Sequence, residues 1–360
     1  MVNKTTLPRL TTVQAAIDSG IDPATTPTRV MKANEWTAER QDSYYTPKTK
    51  RARPSLYGSS FKKVLASDMT MISATDDLDA NEVILPLMTG VDGTPELKEP
   101  TDNTDARVWT WEPNIASAPD IYYGSFEYIE RDADQPNGSI TYAAHKGICT
   151  TFNIAGGTDV VGLNASYQCG RRSPKSDFTA SLSAAEFIGF PSKLTTIAIF
   201  DTYAEMVAAS YDAAAGLGTS PLAASYVKEC SFDLTTGRMP QMRKHGVFDY
   251  DKAIAKDVTG SITTTVATTT ETADLVKAEE AKKTEFRYVL LRFISDEKIT
   301  DTDDPYILDV GICALHQDSS MSSRGGETDG EGTVGMNFDL ESGPGPHALY
   351  IALQTDRTTF

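Results

Sequence analysis

Apolar and polar positions alternate most cleanly in the middle of the chain. Ile148, Thr150, Phe152 and Ile154 alternate with Cys149, Thr151 and Asn153, and Ala155-Gly156-Gly157-Thr158-Asp159 then supplies a turn. Val161, Leu163, Ala165, Tyr167 and Cys169 follow, alternating with Gly162, Asn164, Ser166 and Gln168. Two period-two runs about a Gly-Gly turn predict a hairpin with one buried face. The same period recurs at Cys230–Leu234, Val258–Val266, Tyr306–Ala314 and Val334–Leu340, and a final strand is expected at Ala348–Leu353. Arg107–Trp111 and Ile121–Ile129 read as strands joined by a Pro-containing connection.

Helical signals are fewer. Thr272–Thr284 is built from strong helix formers, with Glu279 four residues before Lys283. Asp77–Met88 is a shorter candidate interrupted by Pro86, and the Ala-rich Thr202–Gly216 fits a helix or a long loop. Strands and helices do not alternate regularly. The expected fold is therefore mainly β: an antiparallel β-sandwich or barrel with one flanking α-helix and long loops.

Charge divides the chain. Residues 1–63 hold eleven Lys/Arg against five Asp/Glu, a balance of +6, whereas the whole 360-residue chain carries −17, leaving −23 on residues 64–360. The opening segment is poor in aliphatics and rich in Thr and Pro, which predicts a basic extended N-terminal arm over 1–63 and a β-domain over 64–360. Such an arm can lie on the acidic body of a neighbouring copy; a solvated tail fits the same composition. Lys48, Lys50, Arg51 and Arg53 form the one basic cluster and are the candidate inter-subunit contacts. An overall acidic surface opposes generic attraction to phosphate or to an anionic membrane.

Candidate chemistry is sparse. Cys149, Cys169, Cys230 and Cys313 contain no C-x-x-C pair and are expected to be reduced and buried, although Cys149 and Cys169 could bridge the hairpin if oxidised. His145, His245, His316 and His347 show no metal-binding spacing, and no P-loop, G-x-S-x-G or Rossmann motif is present. Asp301-Thr302-Asp303-Asp304 lacks the Gly and distal Glu of a calcium loop and reads as a solvated turn. Asp76, Asp77 and Asp79 read as caps for the following helix. Glu327, Asp329 and Glu331 read as a glycine-rich hairpin tip. Trp109 and Trp111 share a strand face and read as core or interface packing. The N-terminus lacks the apolar run of an ordinary secretory signal and no stretch of about 18 apolar residues occurs, so a soluble cytoplasmic product without a membrane span is expected. Neither catalysis nor a cofactor nor a metal is expected.

The order of elements resembles that of the tail tube (major tail) proteins of siphophages. The resemblance is carried by Arg51-Ala52-Arg53-Pro54-Ser55-Leu56, by Glu82–Gly90, by Val108-Trp109-Thr110-Trp111-Glu112-Pro113 and by the central hairpin ending Tyr167-Gln168-Cys169-Gly170-Arg171. It continues through Glu229–Pro240 and Val258-Thr259-Gly260-Ser261-Ile262-Thr263. It runs from about Arg51 to the C-terminus; residues before Arg29 and the insertions at about 202–218 and 320–335 have no counterpart.

That resemblance implies a virion structural protein, assembled in the host cytoplasm, whose copies form rings, six-fold rather than three-fold, stacked into the tube of a long non-contractile tail. Its implied partners are further copies of itself, a tape measure protein in the lumen, tail terminator and distal tail proteins at the ends, and genomic DNA passing without tight binding. Three other readings stand: another phage tail protein such as a terminator or minor tail protein, a β-sandwich carbohydrate-binding module using Trp109 and Trp111, and a hydrolase with carboxylates from separate strands.

Overall fold

The computed structural model describes residues 10–19, 26–31, 35–45, 64–98, 106–114, 121–131, 139–157, 159–179, 182, 186–210, 226–242, 250–282, 284–300, 303–315, 321–324 and 332–357. The chain opens with strands β1 (Leu10–Asp18), β2 (Arg29–Met31), β3 (Glu35–Tyr45) and β4 (Val64–Asp77), then helix α1 (Ile84–Gly90), β5 (Glu96–Lys98), β6 (Arg107–Trp111) and β7 (Tyr123–Arg131). Its middle comprises β8 (Ser139–Gly156), β9 (Val161–Cys169), β10 (Ser173–Lys175), β11 (Thr196–Phe200), α2 (Tyr203–Ala209), β12 (Val227–Thr235), β13 (Arg238–Met242) and β14 (Tyr250–Ala255). It ends with β15 (Thr259–Ala267), α3 (Thr270–Glu280), β16 (Phe286–Lys298), β17 (Pro305–Leu315), β18 (Met321–Arg324), β19 (Thr333–Asp339) and β20 (Leu349–Thr355).

The fold is mainly β, and every strand pairing is antiparallel. Strand β8 is the hinge of the larger sheet. Its C-terminal half lies between β12 and β9, extending the order β18-β19-β15-β12-β8-β9-β4-β3. Its N-terminal half lies between β7 and β10, and β7 continues to β1 and β2. The second sheet runs β11-β16-β17-β20-β6-β5. The two sheets share one core, in which Phe152, Ile154, Phe232 and Ile262 of the first meet Leu291, Phe293, Val310 and Ile351 of the second. This is a sandwich; the strands do not close into a barrel within one chain.

The second sheet is buried on both sides. Its outer face packs Leu290, Cys313, Tyr350 and Ala352 under Met206 and Ala209 of α2. There Arg292 and the directly opposite Asp309 form a fully buried pair with bonds of 2.7 and 2.8 Å, and Arg292 also donates to Ala209 O at the end of α2. Arg238 does comparable work elsewhere. It is wholly buried and donates to Thr89 O, Val91 O and Asp92 Oδ1, tying the β13–β14 hairpin to the C-terminus of α1. Gly237 before it holds φ +65, and a Cβ there would lie 2.6 Å from the carbonyl oxygens of Lys256 and Asp257, so only glycine fits.

The expected arm differs most from the structure. Within residues 1–63, β1, β2 and β3 belong to the larger sheet, and Val13, Ala15, Met31, Trp36 and Ala38 lie in the main core. A few apolar residues at period two suffice to seat a strand, whatever the average composition. Three short helices flank the sandwich where one was expected. Helix α1 starts at Ile84, which puts Pro86 in the first turn, where its missing N–H is not required. Helices α2 and α3 open with capping boxes, Thr202 with Glu205 and Thr269 with Thr272. Asp76 and Asp77 end β4 and do not cap, whereas Asp79 accepts from Asn81 N in the turn ahead of α1. The predicted β8–β9 hairpin is present, with a register shift between Cys149 and Thr151 that buries both Ile148 and Cys149.

Candidate functional site: an acidic sheet face

The larger sheet has one face in the core and one turned outward. Inward stand Trp36 and Ala38, Ile72 and Ala74, Leu163 and Ala165, Phe152 and Ile154, Phe232 and Leu234, Ile262 and Val266, Met336 and Phe338, all buried. The residues between them face out, and most are polar, with Met71 and Ala155 among the exceptions. Register aligns them in rows. One row runs Glu35, Thr75, Asn164, Asn153, Asp233, Ser261, Asp339 across seven strands. The row beside it runs Asp77, Gly162, Ala155, Ser231, Thr263, Asn337.

Hydrogen bonds join neighbours along these rows. Asn153 Nδ2 donates to Asp233 Oδ1 at 2.6 Å, Asn164 Nδ2 to Asn153 Oδ1 at 3.4 Å, Thr263 Oγ1 to Asn337 Oδ1 at 2.8 Å and Asn337 Nδ2 to Asp339 Oδ1 at 3.2 Å. Short side chains tied to each other leave a flat, wettable surface. Its ionisable groups include Glu35, Glu39, Asp77, Glu229, Asp233 and Asp339, and the exposed Lys228 lies next to Glu229 at the β12 register shift. Such a face repels polyanions at short range. Near the β8–β9 turn, Gly162, Ala155 and Gly157 leave a trough of about 700 Å³ bordered by Asp77, Asp159 and Glu229.

The expected site residues Lys48, Lys50, Arg51 and Arg53 lie outside the described residues. Trp109 and Trp111 are both directed at the main core: Trp111 is buried and Trp109 donates its indole N–H to Arg357 O at 2.9 Å. They form no exposed stacking platform. Asp303 pairs with Lys298 on the surface, and Asp301 and Thr302 lie outside the described residues, as do His245, His316 and the expected tip at Glu327, Asp329 and Glu331. No group of three His, Cys, Asp or Glu among the described residues is placed to hold a metal. The four cysteines are free and buried.

One constellation escaped the motif search because its members are far apart in sequence. Ser125 Oγ donates to Asp18 Oδ2 at 2.5 Å and lies 3.0 Å from His145 Nδ1. The serine is fully buried and stands between acid and imidazole, so the trio ties β1 to β7 and β8. Nearby, Glu127 receives Lys175 Nζ and, at 3.0 Å, Thr179 N. Burial pushes its carboxyl up, but the Lys175 and Thr179 hydrogen bonds outweigh this and hold it below the ordinary range. Comparison with the models of known protein families and with curated proteins finds no match for this chain.

Proposed function

We propose that this chain is a structural protein whose copies assemble into stacked rings, the tail tube of a long non-contractile phage tail through which DNA passes. The observation that carries the reading is the outward face of the larger sheet. It spans seven strands, is mostly polar and bears acids on β3, β4, β12 and β19. A wall of that chemistry lets a polyanion slide past, since fixed carboxylates repel its phosphates. Among the described residues the sheet also ends openly: β3, eleven residues long, pairs with β4 alone. Open edges of this length call for a partner, and in a ring each copy's edge is covered by the next. The carbohydrate-module reading loses its basis with the inward-facing tryptophans. Sedimentation velocity of purified protein over a concentration series tests the proposal: discrete oligomers growing into larger particles are expected, and a single 39.0 kDa species at all concentrations contradicts it.

A further inference from the structure

Asn81, in the turn ahead of α1, is a meeting point for distant parts of the chain. It is buried; its main-chain N–H donates to Asp79 Oδ1 at 2.7 Å and its side-chain amide donates to Glu186 O at 3.0 Å. Its two oxygens accept from two different arginines. Arg29 Nη1, on β2, donates to Asn81 O at 3.1 Å, and Arg357 Nε, just beyond β20, donates to Asn81 Oδ1. Two guanidiniums from opposite ends of the chain therefore converge on one residue.

Both are held in place. Strand β2 pairs Arg29 with Ala15 of β1, and Trp109 donates its indole N–H to Arg357 O at 2.9 Å. Like charges fixed together in this way cost free energy. Burial, and then Arg357, hold the Arg29 guanidinium below its ordinary value, and Glu82 opposes them. One buried carboxylate, Glu82, against two cations leaves a positive charge in excess. Of the other acids in this corner, Asp356 bonds Tyr306, which also feels Glu186. A guanidinium carries a fork of several N–H donors. Each of these two gives one N–H to Asn81, and among the described residues neither has a further hydrogen-bond partner.

We propose that Arg29 and Arg357 together form a binding site for one phosphate-like oxyanion. The planar fork of arginine matches the oxygens of such an ion, and two forks from different strands can hold more than one oxygen at once. Both side chains are half-buried, which excludes part of the water and still leaves the ion a way in. The bound ion offsets the excess charge and ties the first strands and the last to the turn before α1. The site uses no residue of the outward acidic face, so it stands or falls independently of the tube reading.

Isothermal titration of the full-length protein with inorganic phosphate, in chloride buffer of constant ionic strength, tests the site. Saturable binding of one ion per chain is expected, weakened at least about tenfold in Arg29→Gln and in Arg357→Gln. It is expected to be unchanged in Arg171→Gln, whose exposed side chain pairs with Asp68 instead. Circular dichroism checks that each variant folds. Where a glutamine variant does not, Arg29→Lys and Arg357→Lys keep the charge and lose the fork, and a loss of at least about threefold is expected. Wild-type protein without saturable phosphate binding overturns the inference. So does undiminished binding in either variant at Arg29 or Arg357, or an equal loss in Arg171→Gln.

Discussion

Asn153 donates its side-chain amide to Asp233 across the β8–β12 pair at 2.6 Å, on the outward face of the larger sheet. One residue away along each strand, Phe152 and Phe232 meet edge to face at 5.6 Å between centroids on the core side of the same two strands. The two contacts lie back to back and have different energetic weight. An exposed polar pair contributes well under ~1 kcal/mol, whereas a buried phenylalanine contributes several.

Phe232→Ala is accordingly expected to lower unfolding stability by about 3–5 kcal/mol and Asn153→Ala by less than about 1 kcal/mol. Urea denaturation of both variants checks this. Comparable losses would mean that the polar face is packed against something in the isolated chain.

The Arg292–Asp309 pair predicts a pronounced non-additivity. Asp309→Ala leaves a buried guanidinium without its carboxylate and is expected to destabilise by about 3–5 kcal/mol, while Arg292→Met with Asp309→Leu together recovers most of that loss. A double-mutant cycle by denaturation measures the coupling, and simple additivity would contradict the buried assignment.

Thiol chemistry follows from burial. Desolvation pushes Cys149 up to about 12 and Cys230 to about 11, raises Cys169 further, and raises Cys313 as well. Thiolate is the reactive form, so a chromogenic disulfide reagent at pH 8 is expected to modify none of the four until denaturant is added. Immediate stoichiometric reaction would show that the sandwich opens readily.

Glu127 sets part of the acid response. Its carboxyl is held below the ordinary 4.5 in the folded protein, so its stabilisation is fully present above about pH 4.5 and is lost as pH falls through the lowered folded value. Glu127→Gln is expected to make stability fall less steeply on that limb. An unchanged acid profile would remove Lys175 and Thr179 as the cause.

The outward face also predicts a gain of function in binding. Wild-type particles are expected not to retain duplex DNA at about 0.1 M salt, and Asp233→Lys with Asp339→Lys to retain it in a salt-dependent way. Gel mobility with a short labelled duplex reads this directly.

Much of the architecture is visible as periodicity. The β8–β9 hairpin, β12, β15 and β19 show period two because one side of each is wet, whereas β17, buried on both sides, alternates through Asp309 and Gly311. Strand β16 shows no alternation, and the reason is physical: Tyr288 to Phe293 is buried on both sides, apolar except for Arg292, which pairs with Asp309. Strands β3 and β4 were obscured differently. Glu35 to Gln41 alternates Trp36 and Ala38 with Glu and Thr, but the surrounding positive charge and low aliphatic content pointed to an arm. The acidic face was invisible as a site because its members come from seven strands spread from Glu35 to Asp339, and only pairing register puts them side by side. Overall charge pointed to it without locating it.

The most direct test is an image of end views. Purified protein at high concentration, vitrified and averaged by electron microscopy, is expected to show pierced rings and tubes whose central hole is walled by the face bearing Asn153, Asp233 and Asp339. Solid particles without a hole, or rings in which that face points outward, would contradict the account.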